Sequence, residues 1–171
     1  PPDVTAKRLI VQDVSPSPLS RVLNSHYTFW FLLSIPAIPM LISLAEGNLR
    51  GVLRPSGEFA ARFMILSLML TPLVMLAPKL RAFRWLMARR RAIGVAAFLY
   101  AGLHVLAYVM REGTLAKILA ELSQAGIWTG WAAFAIFFVL GVTSNDLLLR
   151  GLGAIWKTVQ RLTYLAALLA L

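Results

Sequence analysis

Imidazole is the side chain with the most chemical reach in this sequence. There are two histidines, His26 and His104, and no cysteine. Disulfides, iron–sulfur clusters and thiolate metal sites are therefore excluded. His104 stands inside an uncharged apolar run, AIGVAAFLYAGLHVLAYVM over 92–110. An ionisable group at membrane depth is a functional candidate by default. Neutral imidazole is the usual axial ligand of haem iron and can also bind the magnesium of a chlorophyll-type pigment. The structural alternative is a histidine bonded to a neighbouring helix, and composition leaves both readings open. His26 opens an apolar run at its interfacial end, where a solvated side chain is the expectation. The two imidazoles fall near opposite faces of the membrane, so they are not expected to clamp one iron together.

A second group is cationic. Arg89-Arg90-Arg91 precedes the His104 run. Such a triplet anchors a helix in anionic lipid and sets topology. Arg90 and Arg91 are also candidates for contact with a haem propionate, a quinone head group or an acidic partner. Gly94, Ala101 and Gly102 could let a neighbouring helix or a flat macrocycle approach closely. No Ser/His/Asp set, glycine-rich phosphate loop or pair of intramembrane carboxylates is visible. The acids (Glu46, Glu58, Glu112, Glu121, Asp3, Asp13, Asp146) all fall in expected tails or loops. This argues against a proton-coupled transporter, which needs a relay within the bilayer.

The elements that must position these residues are membrane helices. The chain has 171 residues, 59% hydrophobic and 14% charged, against about 45–50% and about 25% for soluble domains. The apolar residues gather in long uncharged runs of about 18 or more, the signature of membrane spans. The expected fold is an all-α integral membrane bundle of about five transmembrane helices, near 26–45, 59–78, 92–110, 127–144 and 155–171, preceded by a polar arm over 1–25. Pro36 and Pro39 should kink the first span, and Thr71-Pro72 should bend the second. Residues 111–126 place Leu115, Ile118, Leu119 and Leu122 at helical spacing, which predicts a short amphipathic helix in the interface.

The formal charge is +10. In a soluble protein that would suggest nucleic acid; here the cations flank spans, so no nucleic-acid partner is expected. Loop 79–91 carries Lys79, Arg81, Arg84, Arg89, Arg90 and Arg91 with no acid and should be cytoplasmic. Alternation then puts loops 46–58 and 111–126 outside, with 145–161 and the N-terminus in the cytoplasm. The expected place is a bacterial inner membrane, with anionic lipids and other integral membrane proteins as partners.

Several stretches together resemble the ferric-reductase-like transmembrane family. Arg90-Arg91, Gly94, Leu103-His104 and Tyr108 follow its RR-x-x-G…LH-x-x-x-Y pattern at the third helix. Gly57 followed by Leu70-Thr71-Pro72-Leu73 is similar to its G…ITPL, and Thr143-Ser144 to its TS. Leu152-Gly153, Trp156, Arg161-Leu162 and Tyr164-Leu165 resemble its LG-x-x-W-x-x-LHRL-x-YL. The resemblance covers about 54–171 and is nearest to the branch of haem-binding membrane subunits of periplasmic methionine sulfoxide reductase systems. It implies a six-helix fold, haem b held by histidines, and electrons passed from quinol or a flavin partner to a periplasmic enzyme.

Carried over by residue, the helix-three histidine is His104. Gln160 replaces the histidine of LHRL, Arg54 stands where a histidine often precedes the second helix, and a third histidine would fall just past Leu171. An amide oxygen is a poor ligand for haem iron. The expectation is thus a divergent member serving as an accessory or structural subunit of a larger membrane complex, with incomplete haem ligation and no catalysis of its own. The alternative is a haem b electron-transfer subunit with His104 as an axial ligand. A small transporter or channel has no supporting residue beyond the bundle itself.

Overall fold

The structure, a computed structural model, describes Val22, residues 25–144, Gly151 and residues 155–170, with side chains from 158 onward in the last segment. Nearly all of the expected arm over 1–25, and the Leu152-Gly153 motif, lie outside the described residues. Among the described residues eight helices follow in order: α1 His26–Ser34, α2 Ala37–Ala45, α3 Arg50–Leu76, α4 Arg81–Met87, α5 Arg90–Glu112, α6 Leu115–Glu121, α7 Ala125–Val142 and α8 Ile155–Ala170. There is no strand among the described residues. The chain divides into two units at Leu33 and Ser34, and the packing below is that of the second.

Among the described residues three helices, α3, α5 and α7, are long and apolar enough to cross a membrane. The pair α1 and α2 passes the same test as one broken span. Pro36, the N-cap of α2, and Pro39 within its first turn supply the break, because a proline lacks the N–H that a continuous helix requires. The sixteen residues of α8 extend about 24 Å at 1.5 Å per residue. The arrangement is the all-α multi-pass membrane bundle expected from the apolar runs.

Two boundaries differ from the sequence reading. The helix that carries the second apolar run begins at Arg50, ahead of residue 59, so only 46–49 remain as a connection between α2 and α3. Residues read as loop are a helix surface. Glu58 accepts from Arg54 and Arg62, each at 3.0 Å and four residues away, the spacing at which charges meet on one helical face. The helix also runs unbroken through Pro55 and Pro72. The amphipathic segment is shorter than expected. It is the seven-residue α6, of which only Ile118 is buried, while Leu115 and Leu119 are exposed. The basic loop 79–91 contains the short α4, and the Arg89 guanidinium stacks 4.0 Å over Trp85.

The bundle is built on α3 against α5, with α2 beside α3 and with α7 and α8 packed together against this pair. The buried residues of α3, Val52, Ser56, Ala60, Met64, Ser67 and Leu70, recur every three or four positions and form one stripe. The facing stripe of α5 is rich in alanine (Ala92, Ala96, Ala97, Ala107). Small side chains let two backbones approach, the usual solution for helices associating in lipid. Met40, Val52, Ala60, Tyr100 and Ala107 form one core cluster. Met64, Ala97, Phe137, Ala166 and Ala167 form another. Large apolar side chains such as Met75, Leu76, Leu99, Leu106 and Leu168 point outward, as a lipid-facing surface requires.

Candidate functional site

The close approach of α3 and α5 determines what His104 can do. Its Nδ1 lies 2.8 Å from the Leu53 carbonyl oxygen on α3. A carbonyl has no hydrogen to give, so Nδ1 is the donor. In neutral imidazole the other nitrogen, Nε2, then carries the lone pair. Nε2 makes no hydrogen bond among the described residues. Nδ1 donating to a backbone carbonyl while Nε2 stays open is the arrangement that orients a histidine for metal ligation.

The ring is seated by an absent side chain. A Cβ placed on Gly57 would fall 3.0 Å from His104 Nδ1 and 3.1 Å from Cε1. The imidazole therefore lies close against α3 at Gly57, where an added Cβ would force the ring to shift. The Leu53 carbonyl is held in turn by Ser56, whose buried hydroxyl donates to it at 3.0 Å. One turn back along α5, Tyr100 packs against Phe59 and Phe63 with ring centroids 5.8 and 5.4 Å apart. One turn forward, the Tyr108 hydroxyl donates to Glu121 Oε2 at 2.6 Å and ties α6 to α5. α5 is thus tied to its neighbours one turn to either side of His104, and the ring itself is held from across, by α3.

Arg90, Arg91 and Gln160 meet elsewhere. They line one cavity of about 450 Å³ with Ser67, Gly94, Phe98, Phe137, Leu140, Ser144, Arg161 and Thr163 among its walls. Arg90 Nε donates to the Ser67 carbonyl at 2.9 Å, and Arg91 donates to the Ser144 carbonyl. The Gln160 Nε2 is buried with no hydrogen-bond partner among the described residues. His104 does not line this cavity. Fourteen residues separate it from Arg90, about 21 Å along the helix axis.

The fit to haem differs between the two places. His104 offers an oriented imidazole in a cradle that a Cβ would fill, which suits an axial ligand. Gln160 offers an amide, which does not. Among the described residues no three His, Cys, Asp or Glu side chains cluster to hold a bare metal ion. His26 is exposed, and its Nε2 accepts a bond from Trp30 Nε1 at 2.9 Å. The sequence singled out His104, Arg90, Arg91 and Gln160, but assigned no packing role to Leu53, Ser56 or Gly57. The four-residue spacing of Leu53 and Gly57 on one face of α3 was the available signal.

Comparison with known proteins gives a consistent picture. Residues 56–171 match the family described as ferric reductase like transmembrane component. A protein-methionine-sulfoxide reductase heme-binding subunit MsrQ of Rhizobium meliloti is 37% identical over 114 residues, 65% of this chain and 50% of the relative. The corresponding heme-binding subunit of Brucella anthropi is 30% identical over 156 residues, 85% of this chain and 69% of the relative. The magnetosome protein MamZ of Magnetospirillum gryphiswaldense is 36% identical over 134 residues, 75% of this chain but 20% of that longer protein. The chain thus spans from a fifth to about two thirds of these relatives. No solved structure matches it.

Proposed function

This chain belongs to the ferric-reductase-like transmembrane family, and from that premise we propose that it is a haem-binding membrane subunit for electron transfer, with His104 Nε2 as an axial ligand. The observation that carries the reading is the Nδ1 bond to the Leu53 carbonyl over Gly57. That bond sets the tautomer and leaves Nε2 available for iron. A bound haem b would supply one-electron redox chemistry. The chain's own contribution is to hold the imidazole in one orientation, with Nδ1 donating to the Leu53 carbonyl and Nε2 turned away from that bond.

The names of the heme-binding relatives support a place in a methionine sulfoxide reductase system. The proposed path takes electrons from quinol or a flavin partner and delivers them to a reductase outside the membrane. The six cations of loop 79–91 support an orientation with that loop and the N-terminus in the cytoplasm of a bacterial inner membrane, and residues 26–171 as the membrane domain. A second reading, an accessory subunit of a larger membrane complex with incomplete ligation, is favoured by Gln160 at the position of the family's other histidine. The test is reduction of the purified protein by a quinol or a reduced flavin. The electron-transfer reading expects the reduced α and β bands of a b-type haem to appear, and to vanish when an acceptor is added. A protein with no haem bands leaves the accessory reading standing.

A further inference from the structure

One backbone oxygen on α3 serves two side chains. The Leu53 carbonyl accepts from His104 Nδ1 at 2.8 Å and from the Ser56 hydroxyl at 3.0 Å. Ser56 lies on the buried stripe of α3 with 0% of its surface exposed, so water does not compete for its hydroxyl. A serine bonding back to a carbonyl of the preceding turn is a common helical arrangement. Here the acceptor is the oxygen that also fixes the tautomer of His104. In a regular helix the Gly57 N–H is directed at the same oxygen. A carbonyl oxygen has two lone pairs. The donors therefore draw on one supply of electron density, and each weakens the oxygen as an acceptor for the others.

That competition reaches the ligand nitrogen. The stronger the acceptor at Nδ1, the more basic Nε2 becomes. A more basic axial imidazole donates more charge to iron and favours the ferric over the ferrous state. Hydrogen bonding behind the axial ligand is one of the levers by which a protein sets a haem potential. The Ser56 hydroxyl acts in the opposite sense, because an oxygen already engaged by a hydroxyl pulls less on Nδ1–H. The backbone of α3, continuous from Arg50 to Leu76, directs the carbonyl with or without that hydroxyl, so its electronic effect is the larger one. We propose that Ser56 is a positioning residue that raises the midpoint potential of a haem on His104 by sharing the Leu53 carbonyl with Nδ1. This inference rests on the haem reading of His104 and adds to it a control over how readily the ferric form takes up its one electron.

The test is a redox titration of the full chain in mild detergent, with dithionite as reductant and ferricyanide as oxidant, read at the reduced α band. Haem content is measured on the same samples by the pyridine haemochrome assay. Ser56→Ala removes the competing donor and leaves the carbonyl bonded to His104. It should keep the parent haem content and shift the balance toward ferric haem about three- to tenfold, the range of one net hydrogen bond. At 59 mV per decade for one electron this is a fall in midpoint potential of about 28–59 mV. Ser56→Cys, close in volume and a weak donor, should show part of that fall and carries the test if the alanine variant does not fold. Ser56→Thr restores a hydroxyl and should return to the parent potential. Ser67→Ala removes the other buried serine of α3, about 16 Å further along the helix, and should leave the potential unchanged. Full haem content with an unmoved or raised potential in Ser56→Ala and Ser56→Cys, or an equal fall in Ser67→Ala, would overturn this role for Ser56 while leaving the haem reading in place. No haem in the parent would overturn both.

Discussion

Replacing Gly57 with alanine adds one methyl group against the His104 ring. The backbone permits it, because the only glycines with positive φ among the described residues are Gly47 and Gly113. Two effects then compete. Alanine in a helix interior is favoured over glycine by about 1 kcal/mol. The new Cβ would stand 3.0 Å from Nδ1 and 3.1 Å from Cε1, closer than carbon normally approaches, and overpacking of this kind costs about 1–3 kcal/mol. The net effect on folding is a loss of about 0–2 kcal/mol, small enough to leave the protein folded. The effect on the ligand is larger. To relieve the contact the imidazole must shift, which strains its 2.8 Å bond to the Leu53 carbonyl, and loss of such an outer-shell partner typically lowers metal affinity about 10–100-fold. Gly102→Ala is the control on α5, since a Cβ there meets nothing within 4 Å. It should gain about 1 kcal/mol and leave the haem untouched. Haem titration into the apoprotein, followed at the Soret band, measures the difference. Equal haem affinity in Gly57→Ala and the parent would refute the argument that Gly57 and Leu53 orient the ligand.

Other consequences follow from the same packing. Gly141→Ala would set a Cβ 2.8 Å from Phe98 Cδ1 and should destabilise the bundle by about 1–3 kcal/mol in thermal melts, whereas Gly130→Ala, in open space, should not. Tyr108→Phe removes the hydroxyl that donates to Glu121 at 2.6 Å. It should cost about 1.5–3 kcal/mol and speed amide exchange across 115–121. The chain has no cysteine, so single cysteines report topology directly. Lys79→Cys should react with a membrane-impermeant maleimide only from the cytoplasmic side, and Thr114→Cys only from the other.

The apolar runs made the bundle legible because a membrane helix must satisfy its own backbone and present apolar side chains outward. His104 was legible for the same reason, as an ionisable group among residues chosen for lipid. The start of α3 was misread because Arg54, Glu58 and Arg62 look like loop charges until their spacing of four is taken as a helical face. The reach of the amphipathic segment was overestimated because leucines at helical spacing do not reveal which of them is covered, and of Leu115, Ile118, Leu119 and Leu122 Ile118 alone is buried. The partner of His104 lay further out of reach. Which carbonyl on α3 meets Nδ1 depends on how the alanines of α5 interlock with the stripe around Ser56 and Ala60, and that register is a property of two helices at once. Gln160 was visible as a substitution, but the cavity it shares with Arg90 and Arg91 is formed by five helices and leaves no mark in any one of them.

The central claim is that one oriented imidazole in α5 holds haem, and the pyridine haemochrome assay on the parent, His104→Ala and His26→Ala tests it most directly. The account predicts haem in the parent, the same amount in His26→Ala and none in His104→Ala, with all three proteins remaining folded in detergent. Haem retained at the parent level in His104→Ala, or no haem in the parent at all, would contradict it.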